Sequence, residues 1–103
     1  MSRVSKKALA QTDFSFLLFV AGDEPNSALA KKNLSLICEK NLQGRYNIEI
    51  VDVLEDFMTA IDNGVIVTPT LVLLQPEPRV TIFGNLNDAA AVMAALCLNR
   101  GAL

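Results

Sequence analysis

The chain has 103 residues, 51% of them hydrophobic, with nine basic and eleven acidic side chains and a net charge of −2. This length suits one domain, and the apolar fraction excludes a disordered chain. The mild charge balance gives no electrostatic footing for nucleic acid or an anionic membrane, and the lack of any histidine removes the commonest general base and metal ligand.

Residues 1–12, "MSRVSKKALAQT", carry Arg3, Lys6 and Lys7 with no long apolar run behind them. They predict a flexible arm rather than a secretory signal. A single domain is expected over residues 13–103. No apolar run reaches the roughly 18 residues that a membrane span needs, so a soluble cytoplasmic protein is expected. "FSFLLFV", 14–20, is apolar almost throughout and predicts a strand buried on both faces. Ala21-Gly22-Asp23-Glu24-Pro25 ends it, and Asn26 or Ser27 can cap the next helix. In that helix Ala30, Leu34, Ile37 and Cys38 share one face, and Gly44 is a stop.

"YNIEIVDV", 46–53, alternates and predicts a second strand. "LEDFMTAIDNG", 54–64, fits a short helix ended by Asn63-Gly64. Thr68-Pro69-Thr70 leads into a strand at 70–75, Pro76-Glu77-Pro78 makes a turn, and "RVTIFG", 79–84, alternates again. "LNDAAAVMAALCLNRG" predicts a closing helix, with Asn87 as cap and Val92, Met93 and Leu96 on its apolar face.

The order is β-α-β-α-β-β-α. A helix between the first two strands implies a parallel crossover, and the short Pro-rich link implies an antiparallel hairpin, hence a mixed sheet. This α/β order resembles that of thioredoxin-like domains. In that fold a proline stands just before the third strand, commonly after a cis bond, which favours cis at Pro69. A thioredoxin-type enzyme also needs a low-pKa cysteine at the first helix N-terminus. The loop here, "VAGDEPNS", has none. Cys38 and Cys97 form no Cys-x-x-Cys pair and no zinc spacing, and read as buried thiols. Ser27 lacks a base, Asp23/Glu24 and Glu55/Asp56 read as solvated charges, and no phosphate loop is present. The residues describe a binding module without catalytic groups, metal or cofactor.

Four motifs carry a more specific resemblance. "LFVAGDEPNSALAKKNL", "IVDVLED", "VTPTL" and "GNLND" follow one another without an obvious gap. In this order they resemble the KaiB family of bacterial clock proteins. The resemblance implies a non-enzymatic protein that binds KaiC, a hexameric RecA-like ATPase and autokinase, and alters its phosphorylation or output, in circadian timing or a simpler stress response. It also implies competition with a sensor histidine kinase carrying a KaiB-like domain. Clock members switch between a tetramer with a strand last and a thioredoxin-like monomer, so self-association as a dimer or tetramer is implied too. Pro69, Gly22 and Gly84 are implied as structural positions, and the second strand, Asn47, Ile48, Glu49 and Ile50, as the partner-binding face.

Departures from the clock pattern set further expectations. Ala95, Cys97 and Arg100 stand where clock members tend to carry glycine, aspartate and tyrosine. Glycine in a helix costs about 1 kcal/mol against alanine. The alanine-rich closing segment should therefore favour the thioredoxin-like form over the rearranged fold with a terminal strand. Glu49 replaces a lysine and Asn47 a small residue, which points either to a re-tuned partner or to a plain solvent face. Leu29, Leu73 and Val80 stand where the pattern is often basic. Leu29, Leu36 and Leu73 form either an exposed apolar patch or ordinary core. Two other functions stay open: a stand-alone KaiB-like module docking a histidine kinase or another protein without KaiC, and a thiol redox protein.

Overall fold

The computed structural model describes residues 13–96. The expected arm, 1–12, lies outside the described residues, as do Cys97 and Arg100. Seven elements run in order: β1 (Phe14–Val20), α1 (Pro25–Asn41), β2 (Tyr46–Asp52), α2 (Phe57–Asp62), β3 (Thr70–Gln75), β4 (Val80–Phe83) and α3 (Ala89–Ala95). The strands form one sheet in the order β2-β1-β3-β4. β1 and β2 are parallel, and the β1–β3 and β3–β4 pairs are antiparallel. This is the mixed thioredoxin-like sheet, and its closing segment is helical from Ala89 to Ala95.

β1 lies between β2 and β3 and is buried on both faces. Phe16, Leu18 and Val20 join Ala30, Leu34, Ile37 and Cys38 of α1 and Val92 of α3 in the larger core cluster. Leu17 and Phe19 point the other way and meet Val51, Val72 and Ala60 of α2. The alternation of side chains along a strand sends these two sets to opposite faces. Both faces of β1 must therefore be covered, one by α1 and α3 and the other by α2.

The caps differ from those expected. Glu24, not Asn26 or Ser27, caps α1: its carboxylate accepts from the Ser27 N–H at 2.9 Å. Pro25 explains the shift, because proline is suited to the first helical position, where its missing N–H is not needed. Ser27 is fully buried inside the first turn, and its Oγ accepts from the Ala21 N–H at 3.1 Å. Asp88, not Asn87, caps α3 by accepting from Ala91 N–H at 3.1 Å. α2 begins at Phe57, later than the apolar pattern suggests. Before it, Asp52 Oδ1 accepts from the N–H groups of Leu54 (3.0 Å) and Gly22 (3.1 Å), which holds 53–56 in a turn.

Pro69 is buried, stands immediately before β3, and follows a cis bond. Its carbonyl accepts from the Gly84 N–H at 3.0 Å, which ties the entry of β3 to the exit of β4. Gly84 has φ +102° and Gly22 φ +52°, both in the region that disfavours side chains. A Cβ on Gly22 would also stand 3.2 Å from Leu54 Cδ1. Near the other end of α1, Tyr46 donates to Glu39 Oε2 at 2.7 Å.

Removing the Ser27 hydroxyl should leave the Ala21 N–H without a partner. Ser27→Ala is expected to cost about 1–3 kcal/mol in urea unfolding, the range for an orphaned buried donor. A loss within error of zero would show that another group takes up that N–H.

Candidate functional site

β2 is an edge strand. Among the described residues it pairs with β1 alone, so its outer backbone N–H and C=O groups are open to a further strand. The register puts Asn47 beside Ser15 and Glu49 beside Leu17, on the α2 side of the sheet. Ile48 pairs with Phe16 and Ile50 with Leu18, on the α1 side. Asn47 and Glu49 are exposed, and Ile48 is half-buried against the larger core. Ile50 is 44% exposed despite its apolar chain. The four sequence-predicted partner residues are thus brought together on one open ribbon, two polar and two apolar.

The ribbon carries the acid Glu49, with Asp52 at its end; Arg45 precedes it and is paired with Asp13, and Arg79 is bonded to Asn63 at the end of α2. From Tyr46 to Pro78 the sequence holds Glu49, Asp52, Glu55, Asp56, Asp62 and Glu77 and no lysine or arginine. A partner meeting this face is favoured if it brings cations.

The other singled-out residues scatter. Ala95 is the last residue of α3, exposed, at the rim of an open groove of about 610 Å³ between β4 and α3. Pro69, Gly22 and Gly84 lie at the strand ends, away from the centre of β2. Of the leucines, Leu73 is core, whereas Leu29 and Leu36 are exposed on α1. Asn85 Nδ2 donates to Asn26 Oδ1 at 3.1 Å, and Asn33 Nδ2 donates to the Asn85 carbonyl at 2.8 Å. The motif after β1 and the motif after β4 therefore meet in space.

A set of exposed apolar residues on α2 and its flanks escaped the sequence reading: Leu54, Phe57, Met58, Ile61, Ile66 and Val67. An apolar run in a short helix reads as core. The sequence carries no signal for it: the apolar pattern fits a helix over 54–64, whereas the helix has only six residues and buries only Ala60.

Thiol chemistry finds no support at Cys38. It is buried mid-helix, and burial, with a smaller contribution from Glu39, pushes its thiol up to about 12. The protonated thiol is a poor nucleophile. No helix among the described residues is long and apolar enough to cross a membrane.

The KaiB domain matches residues 17–97. A circadian clock oscillator protein KaiB from Cyanothece sp. is 40% identical over 81 residues, covering 79% of this chain and 77% of that one. Two solved structures share the fold. Chloroplastic thioredoxin z superposes with a TM-score of 0.69 at 20% identity, over 93% of this chain and 88% of that one. The N-terminal domain of Synechococcus elongatus SasA superposes with a TM-score of 0.68 at 21% identity, over 81% and 80%.

The raised Cys38 pKa makes a pH prediction. A thiol held protonated in the folded state stabilises it fully below the unfolded pKa, and that contribution is lost as pH rises toward the folded value of about 12. Above about pH 9 the stability of the native chain should fall by up to ~1.4 kcal/mol per pH unit, and by less in Cys38→Ala. Tyr46, also raised to about 12, chiefly by its hydrogen bond to Glu39 and least by Cys38, contributes in both chains, slightly less in Cys38→Ala. Parallel curves for the two proteins in urea unfolding would refute the assignment.

Proposed function

Because the chain belongs to the KaiB family, we propose that it works as a KaiB-like clock-type regulator, by binding rather than catalysis, with a KaiC-type RecA-like ATPase as its cytoplasmic partner. The observation that supports this best is the open β2 edge, where Asn47 and Glu49 stand exposed and Ile50 is 44% exposed. A strand of the partner can add to that edge through main-chain bonds, while alternate side chains give specificity. In this reading Ile48 and Ile50 are the apolar contacts, and Asn47 and Glu49 choose the partner. The acid at Glu49, where clock members carry lysine, calls for a cation on the partner surface. Pro69, Gly22 and Gly84 frame the strand ends. Without its partner the chain self-associates as a dimer or tetramer.

Ala95 belongs to the same proposal as the residue that biases the closing segment toward helix. Cys97 and Arg100, outside the described residues, share that role. One second reading has its own support: Glu49 reverses the charge of the clock pattern, which favours a stand-alone KaiB-like module docking a histidine kinase.

Capture of partners from native lysate with tagged chain, read by mass spectrometry, tests the binding role. Wild type should recover a RecA-like hexameric ATPase. Glu49→Lys should weaken that complex by about 1 kcal/mol, roughly five-fold. Equal recovery by both chains would move the contact off β2. A histidine kinase without the ATPase would establish the module reading instead. Ala95→Gly, at the last residue of α3, should cost it less than the about 1 kcal/mol of a helix interior. Faster amide exchange confined to residues 89–95 is the expected result, and unchanged exchange would remove Ala95 as the biasing residue.

A further inference from the structure

β4 is the other edge of the sheet and, among the described residues, pairs with β3 alone. Its four residues, Val80–Phe83, carry no charge and no proline. Apart from its shortness, nothing on the strand blunts its outer N–H and C=O groups. Val80 and Ile82 pack against the larger core, on the α1 side, and alternation turns Thr81 and Phe83 to the α2 side. Phe83 is 63% exposed. On the α1 side lies the open groove of about 610 Å³, lined by Ile82, Leu86, Ala91, Val92 and Ala95 among others. Ala91 and Ala95, one turn apart on α3, leave room there for larger side chains. An unpaired edge beside an apolar groove suits an added strand, fixed by main-chain bonds and sorted by its alternate side chains.

The chain itself carries a strand of that form. β2 runs parallel to β1, and β4, antiparallel to β3, runs the same way. Two copies side by side in one orientation bring β2 of one against β4 of the next as a parallel pair, with their α1 sides on the same face. Only alignments that keep the parity of the two strands turn Ile48 and Ile50 to the groove. One of these pairs Ile48 with Val80 and Ile50 with Ile82, and uses all four residues of β4. It sets Glu49 beside Thr81 and diagonal to Arg79, on the α2 side. Arg79 is exposed, and although it gives Nη2 to Asn63 Oδ1, a guanidinium has further donors for a carboxylate. Long side chains reach one another at such diagonal positions. Two β2 edges together would instead oppose one Glu49 to another, and two β4 edges would leave Ile50, 44% exposed, uncovered.

We propose that copies of this chain associate head to tail, β2 of one adding in parallel to β4 of the next, with Ile48 and Ile50 in the groove beside α3 and Glu49 toward Arg79. This deepens, and rests on, the self-association proposed above. The contact is heterologous, so each pair keeps one free β2 and one free β4, and the row grows or closes as a ring. Four residue pairs make a small contact of the weak, reversible kind. Each β2 within the row is closed to a partner strand until its neighbour leaves.

Cysteine pairing on the full-length chain reads the register. Opposed residues on neighbouring strands stand about 5 Å apart, within disulfide reach. A mixture of Glu49→Cys and Thr81→Cys chains should give 49–81 disulfides several-fold above the 49–49 and 81–81 links. A preference for either like pair would show a two-fold contact and overturn the proposal. In sedimentation velocity the average mass of the unaltered chain should rise with concentration. A mass fixed at one chain would remove self-association and this proposal together, whereas a rising mass without 49–81 links would remove this contact alone. Thr81→Glu, an exposed change that opposes Glu49, should weaken association several-fold while capture of the ATPase through β2 stays at or above the wild-type level. Capture lost together with association would overturn the assignment of separate edges. Adding Glu49→Lys to Thr81→Glu should restore association, and a double variant as weak as Thr81→Glu would overturn the register.

Discussion

The burial of β1 is the constraint from which the rest follows. A strand paired on both sides and apolar on both faces needs two layers of cover. The larger face receives α1 and α3, which bring Leu34, Ile37, Cys38 and Val92 onto Phe16, Leu18 and Val20. The smaller face receives a helix of six residues that offers Ala60 to Leu17 and Phe19. The asymmetry has a price at the surface: the short helix cannot bury its own bulky residues, and they face solvent.

A central β1 also fixes which strands are edges. β2 and β4 have one neighbour each among the described residues. Exposed edges invite pairing with other chains, and charge along them discourages indiscriminate pairing. On β2 that charge is Glu49, with Asp52 at the strand end. The edge is thus open along its outer side, with Glu49 as a charge that discourages indiscriminate pairing.

Much of this architecture was legible in the sequence, and the reasons are specific. "FSFLLFV" could only be a doubly buried strand, and the period of Ala30, Leu34, Ile37 and Cys38 marked the buried face of α1. The alternation of Asn47, Ile48 and Glu49 marked β2 as half solvated. The α1 cap departs from side-chain preference because Pro25 takes the first helical position and leaves Glu24 outside it. Leu29, Leu36 and Leu73 could not be sorted, since two lie on a helix flank and one on a central strand. The α2 patch was hidden because composition does not tell an apolar residue with a layer above it from one without.

Asp52 supplies a mechanical linkage. One carboxylate oxygen receives the N–H of Gly22, in the loop that opens α1, and the N–H of Leu54, in the turn that opens α2. Leu54 in turn lies against Gly22. The end of β2 is therefore riveted to the loop before α1 and to the turn before α2. A load applied along β2, as a strand added to its edge would apply, passes directly to that loop and to that turn. The sheet edge, the loop and the turn must shift as one body or break the rivet.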